Sequence, residues 1–146
     1  SVIKSNDNRS SLLLKRTFDI LNNKVKNKKI CFLGVTFKAN TDDMRDSSSL
    51  SMIPSLYKKG AKINYFDPTG EKSEFKKFKN VIFSNDIKSA ISNSDLIIIH
   101  TEWNDFKSIN FNKIVKNKNY KIFDMRNIYS SKKMKEQKIK YFSIGS

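Results

Sequence analysis

At 146 residues, with 38% hydrophobic and 12% aromatic side chains, the sequence is long enough to bury the core of one domain and too apolar to stay disordered. No apolar run reaches membrane-span length, no signal-like stretch stands near the start, and a single cysteine excludes an internal disulfide framework, so a cytoplasmic location is expected. The formal charge of +15 raises a nucleic-acid interface, but only four of the 29 basic residues are arginines (Arg9, Arg16, Arg45 and Arg126), and the lysines are spread along the chain among many asparagines, as on solvated faces rather than in a phosphate-reading groove.

Leu13, Leu14, Phe18 and Leu21 recur at helical spacing and predict an amphipathic helix over 6–23, followed by a polar linker over 22–29. Residues 29–35 form a compact apolar strand, and 36–46 a polar loop without periodicity. Ser47, Ser48 and Ser49 offer N-caps for a helix carrying Leu50, Ile53, Leu56 and Tyr57 and stopped by Gly60; Pro54 predicts a kink or a start nearer Met52. Further strands are expected at 62–66, 81–83, 96–100, 120–123 and 139–143. Further helices are expected from an Asp86 cap through Ile91, at 111–115 and at 130–137, while 71–80 is charged and poorly patterned. Strands alternating with helices predict a doubly wound, Rossmann-like domain: a mostly parallel six-stranded sheet with helices on both faces, preceded by an N-terminal helix. Such sheets bind ligands beyond the carboxyl ends of their strands, which here are Thr36-Phe37-Lys38, Asp67-Pro68, Thr101-Glu102-Trp103 and 124–127.

The first strand ends in Gly34-Val35-Thr36-Phe37, which is not the G-x-G-x-x-G that lets backbone approach a dinucleotide pyrophosphate, and a P-loop is absent. The loop 37–47 gathers Lys38 and Arg45 with acids and hydroxyls, either as a phosphate site or as a solvated loop with Arg45 paired to Asp42 or Asp43. Asp42 and Asp43 lack His or Cys neighbours and read as structural rather than metal-binding. Arg126 stands at the same edge as Lys38 and favours anion binding over a surface salt bridge. Cys31 within the first strand reads as core, His100 as structural for want of a partner at telling spacing, and Trp103 as a packing anchor. A phosphoacceptor receiver domain would need an acidic pair directly at the first strand end, where Val35-Thr36 stand instead.

The run from Gly34 to Ser47 (GVTFKANTDDMRDS) resembles the G-x-x-F-K-x-x-T-D-D-x-R-x-S signature of the UDP-glucose/GDP-mannose dehydrogenase family. Thr101-Glu102-Trp103, Asp124-Met125-Arg126-Asn127 and the terminal Tyr141-Phe142-Ser143-Ile144-Gly145 match further landmarks in order, so the resemblance covers nearly the whole chain from Asn6. It implies that 1–28 is the end of an interdomain helix with its linker and 29–146 a UDP-binding domain, a fragment or split-gene product. Phe37, Lys38 and Arg126 would contact the UDP-sugar, and Arg45 would touch NAD across an interdomain cleft. The details look more like UDP-glucose than GDP-mannose enzymes. The implied reaction is the NAD-dependent, two-step oxidation of UDP-glucose to UDP-glucuronate through a cysteine-bound intermediate, in polysaccharide biosynthesis. The family's Gly-rich NAD domain and its central helical segment with catalytic Cys, Lys and Asp are not in this sequence, and Cys31 does not occupy the nucleophile motif. The chain alone is therefore expected to be inactive and to work with those missing domains, as a homodimer, without specific nucleic acid or membrane partners. Alternatives are a stand-alone UDP-sugar-binding or regulatory module, or the corresponding domain of a GDP-mannose or UDP-N-acetylmannosamine dehydrogenase.

Overall fold

The computed structural model describes residues 2–145, with side chains described from residue 8. Six strands form one sheet: β1 (Lys29–Leu33), β2 (Lys62–Phe66), β3 (Val81–Phe83), β4 (Leu96–Ile99), β5 (Lys121–Asp124) and β6 (Lys140–Ser143). All neighbours pair in parallel, in the order β3-β2-β1-β4-β5-β6. The chain therefore moves outward from β1 in one direction, returns, and moves outward in the other, leaving a switch point between β1 and β4. These two central strands carry unbroken apolar runs because both of their faces are covered.

Alternate side chains feed two cores. Ile30, Phe32, Ile98 and Phe123 pack beneath Leu13 and Ile20 of helix α1 (Val2–Ile20) and Met52, Ile53 and Leu56 of α2 (Ser49–Lys58). Cys31, Leu33, Ile97, Ile99 and Ile122 point the other way, towards Ala90 and Ile91 of α3 (Ile87–Ile91), Phe111 of α4 (Phe111–Ile114) and Met134 of α5 (Ser131–Glu136). Among the described residues no helix is long and apolar enough to cross a membrane.

The strands and the helices α3, α4 and α5 fall within two residues of their predicted limits, with Asp86 and Ser130 accepting cap bonds from Ser89 N at 2.7 Å and Lys133 N at 3.3 Å. Helix α1 begins earlier than its apolar spacing indicates, at Val2. The predicted linker is a set of tight turns, in which Asn22, Asn23 and Asn27 take φ of 54°, 60° and 65°, a conformation asparagine tolerates better than most residues. Helix α2 starts at Ser49 rather than near Met52 and keeps Pro54 inside it, where full burial of Met52, Ile53 and Leu56 outweighs the lost hydrogen bond. Its end follows Gly60 as expected: Gly60 N donates to Tyr57 O at 2.9 Å and Ala61 N to Leu56 O at 3.1 Å. Two 3₁₀ turns have no periodic signal. Ser73–Phe75, in the poorly patterned stretch, sets Phe75 against Tyr65 at 5.3 Å between ring centres, and Asn104–Phe106 buries Phe106 completely.

Candidate functional site

The β1 turn is spoken for by the protein itself. Gly34 has φ of +78°, and a Cβ there would stand 2.6 Å from Thr101 Cβ, so this glycine lets the β4 end close against β1. Val35 N donates to Asp67 Oδ2 at 2.9 Å, and Val35 O accepts from Ser47 Oγ and Ser49 Oγ, both at 2.6 Å. Thr101 Oγ1 donates to Thr36 O at 3.1 Å. Gly34 N is likewise taken, donating to Phe66 O at 2.8 Å, and a dinucleotide pyrophosphate would need these two amides and an open glycine, so the turn does not fit NAD in the usual Rossmann manner. Of the serines expected to cap α2, Ser47 also accepts from Ser49 N, the first amide of the helix, at 3.2 Å, while Ser48 makes no side-chain cap bond and its Oγ lies 2.8 Å from His100 Nε2.

Beyond this locked turn the chain emerges at Phe37, which is 45% exposed, and Lys38, also exposed. Phe37 N donates to Asp43 O at 3.0 Å and closes the loop, with Asn40 and Asp46 in left-handed conformation at φ of 64° and 60°. Arg126 reaches the same place from β5. Its Nη2 donates to Phe37 O at 2.9 Å and its Nε to His100 O at 3.0 Å, so one guanidinium ties the ends of β1 and β4 to the β5 loop. It is half-buried, its partners are carbonyls rather than the surface carboxylate of the simpler sequence reading, and burial lowers its pKa. The loop is set by fully buried Asp124, which accepts from Arg126 N at 3.0 Å, Tyr129 N at 3.1 Å and Tyr141 Oη at 2.7 Å. Burial is the main cause that raises the phenol pKa of both tyrosines, and it keeps them as donors.

His100 is buried with both ring nitrogens against hydroxyls, Ser48 on Nε2 and Thr101 on Nδ1 at 3.1 Å, partners that its isolated sequence position hides. Burial, then the charges of Arg126 and Arg9, pushes its pKa down to about 3, so the imidazole is neutral. Arg45 takes Asp43, not Asp42, as its partner, through Nε–Oδ1 and Nη2–Oδ2 contacts of 3.0 Å each. Its side chain remains 88% exposed, and the pair holds the Asp43 carboxyl at about 2. Cys31 is fully buried, and burial raises its thiol pKa; Trp103 is a packing residue of the core beneath α3, α4 and α5, 8% exposed. Among the described residues no group of three or more His, Cys, Asp or Glu could hold a metal ion.

The structure thus brings Phe37 and Arg126 to one ledge at the switch point, with exposed Lys38 next in the chain and close enough to Asp43 for its charge to help lower that carboxyl's pKa, while the Arg45 guanidinium lies against Asp43 in the same loop. A recess of about 460 Å³ between Asp43, Arg45 and Leu50 on one side and Lys72 and Glu74 on the other adjoins that loop. A second, of about 270 Å³, opens at the opposite, amino edge beside Lys29 and Lys62, far from these groups. Asp124 and Tyr141 fall inside sequence landmarks, but their positioning role depends on a contact between two strands, which no local pattern shows.

Residues 31–131 match the model of the UDP-glucose/GDP-mannose dehydrogenase family, UDP binding domain. The chain is similar to UDP-glucose 6-dehydrogenase of Rickettsia bellii, 35% identical across 100% of the chain and 34% of that protein. The Rhizobium meliloti UDP-glucose 6-dehydrogenase is 32% identical over 99% of the chain and 33% of its own length, so the chain spans about a third of these curated relatives. In fold it is similar to the UDP-glucose dehydrogenase of Pyrobaculum islandicum, with a TM-score of 0.71 at 22% identity over 97% of the chain and 30% of that structure.

Proposed function

The chain belongs to the UDP-glucose/GDP-mannose dehydrogenase family, and from that premise we propose that it is the C-terminal, UDP-sugar-binding part of an NAD-dependent UDP-glucose 6-dehydrogenase. The observation that carries this reading is the fixed position of Arg126, whose guanidinium is held by the Phe37 and His100 carbonyls beside exposed Phe37 and Lys38. Lys38 and Arg126 meet the diphosphate as preset cations, and Phe37 lies against the nucleotide sugar. Because the site is tied together before ligand arrives, little ordering entropy opposes binding. His100, kept neutral between two hydroxyls, supports the Arg126 anchor without adding charge or taking a proton.

The oxidation of UDP-glucose to UDP-glucuronate belongs to the intact cytoplasmic enzyme, a homodimer whose other domains supply the NAD site and the nucleophilic cysteine. NAD, when bound there, accepts the hydride. Arg45 faces it across the cleft, its fork already oriented by Asp43. This domain's share is positioning and charge neutralisation. Calorimetric titration of the 146-residue chain checks the reading: UDP-glucose and UDP should bind more tightly than GDP-mannose, and Arg126→Ala should abolish the heat. Equal affinity for all three nucleotides, or none at millimolar ligand, would overturn it.

A further inference from the structure

No sequence motif contains Arg9, yet the register of α1 on the sheet carries it to the ledge. At the amino end of β5, Lys121 Nζ donates to Ile20 O at 2.8 Å. One turn back along α1, the Arg16 guanidinium stands 5.8 Å from the centre of the Phe123 ring, and Leu13 shares a core cluster with Met125, just past the strand. Read backwards, the helix therefore climbs towards the carboxyl edge, at about 1.5 Å per residue against about 3.3 Å per strand residue. Arg9 lies one turn beyond Leu13 on the same stripe, which brings it level with Arg126. The electrostatics agree, since the Arg9 charge contributes to lowering the pKa of both His100 and Arg126.

Two guanidinium groups thus share one end of the sheet beside a neutral imidazole. Neither is matched by a carboxylate in the one ion pair among the described residues, Arg45 with Asp43. Arg126 is held in place by carbonyls, and Arg9 is exposed on a helix whose apolar side is sunk in the core. Like charges so placed repel; the Glu102 carboxylate near Arg126 offsets part of that repulsion without forming an ion pair, and an anion between the two guanidinium groups relieves the rest. We propose that Arg9 is a further substrate-binding residue, bracketing with Arg126 the diphosphate of the nucleotide sugar, an inference that rests on the functional reading above. Two forks from different elements suit a ligand with two adjoining phosphates better than a single carboxylate, because each fork takes its own pair of oxygens.

The test is an NMR titration of the labelled 146-residue chain with UDP-glucose and with uridine, for the wild type, Arg9→Gln and Arg9→Lys. Arg9→Gln should raise the Kd for UDP-glucose roughly fivefold to tenfold, the scale of one solvent-accessible charge-assisted contact, and leave weak uridine binding unchanged. Arg9→Lys should fall between, because it keeps the charge and loses the fork. An unchanged UDP-glucose Kd in Arg9→Gln, or an equal loss for uridine, overturns the role of Arg9 while leaving the domain's function standing. Failure of the wild type to bind UDP-glucose overturns both. If Arg9→Gln loses its dispersed amide spectrum, Arg9→Lys carries the comparison.

Discussion

Gly34 illustrates how a residue typical of ligand turns is spent on the protein's own packing. Its φ of +78° and the 2.6 Å approach of a hypothetical Cβ to Thr101 leave no room for a side chain. Gly34→Ala should destabilise the fold by about 2–4 kcal/mol, from strain and overpacking together, which urea denaturation would register; a loss below 0.5 kcal/mol would contradict the close approach. His100 offers a cleaner test, through pH. Its folded pKa of about 3 lies below the ordinary 6.5, so the unfolded chain binds the extra proton, and stability is fully present above 6.5 and is lost as pH falls towards 3. The loss should total about 5 kcal/mol, and most carboxylates stay charged until about pH 4.5, so the slope between pH 6.5 and 4.5 reports mainly this imidazole. Denaturation midpoints for the wild type should drop across that window, and His100→Asn should flatten the curve; a flat wild-type curve would mean that the imidazole is not buried neutral. The sequence exposes Lys38 and Arg126 as cations at strand ends. It hides what holds Arg126, because the Phe37 and His100 carbonyls lie 89 and 26 residues away in the chain.

Helices and strands differ in how far local pattern can describe them. The run Leu96–Ile99 is legible as a strand because four apolar residues bounded by Asp95 and His100 suit the middle of a parallel sheet and little else. Helix α2 is legible at its end, where Gly60 must adopt φ of +92°, and less so at its start, where propensity puts Pro54 near a boundary. The 3₁₀ turns escape because each is anchored by one aromatic ring, Phe75 or Phe106, and one ring makes no period. Tertiary burial overrides Pro54, and that makes a prediction at this scale. Pro54→Ala restores an amide that can donate to Leu50 O and removes the ring clash, a gain of about 3 kcal/mol reduced by roughly 1 kcal/mol of recovered unfolded-chain entropy. The thermal midpoint should therefore rise by several degrees. A fall would mean that the half-buried ring contributes packing larger than its backbone cost.

At the scale of the whole molecule the charge is the governing quantity. A net +15 is spread over a chain whose described residues form one ion pair, so most cations face water and one another. The amino edge of the sheet concentrates the effect, because Lys29 pairs in register with Lys62 and Lys121 with Lys140, strand neighbours about 4.8 Å apart. Like charges directly opposite destabilise a sheet, and at low salt the repulsion extends beyond the next strand. Added sodium chloride should then stabilise this protein, in contrast to one held by surface ion pairs, which salt weakens. The thermal midpoint should climb by several degrees between 0.02 and 0.2 M salt, where the Debye length shrinks from roughly 20 Å to below 10 Å. Lys62→Glu, which turns one repulsive pair into an attractive one, should raise the low-salt midpoint and reduce the salt response. A midpoint that fell with salt would show that attractive pairs outweigh this repulsion. On the function proposed above, the same field at the opposite edge would draw an anionic nucleotide sugar towards Lys38 and Arg126, so one salt titration should show stability rising while nucleotide affinity falls.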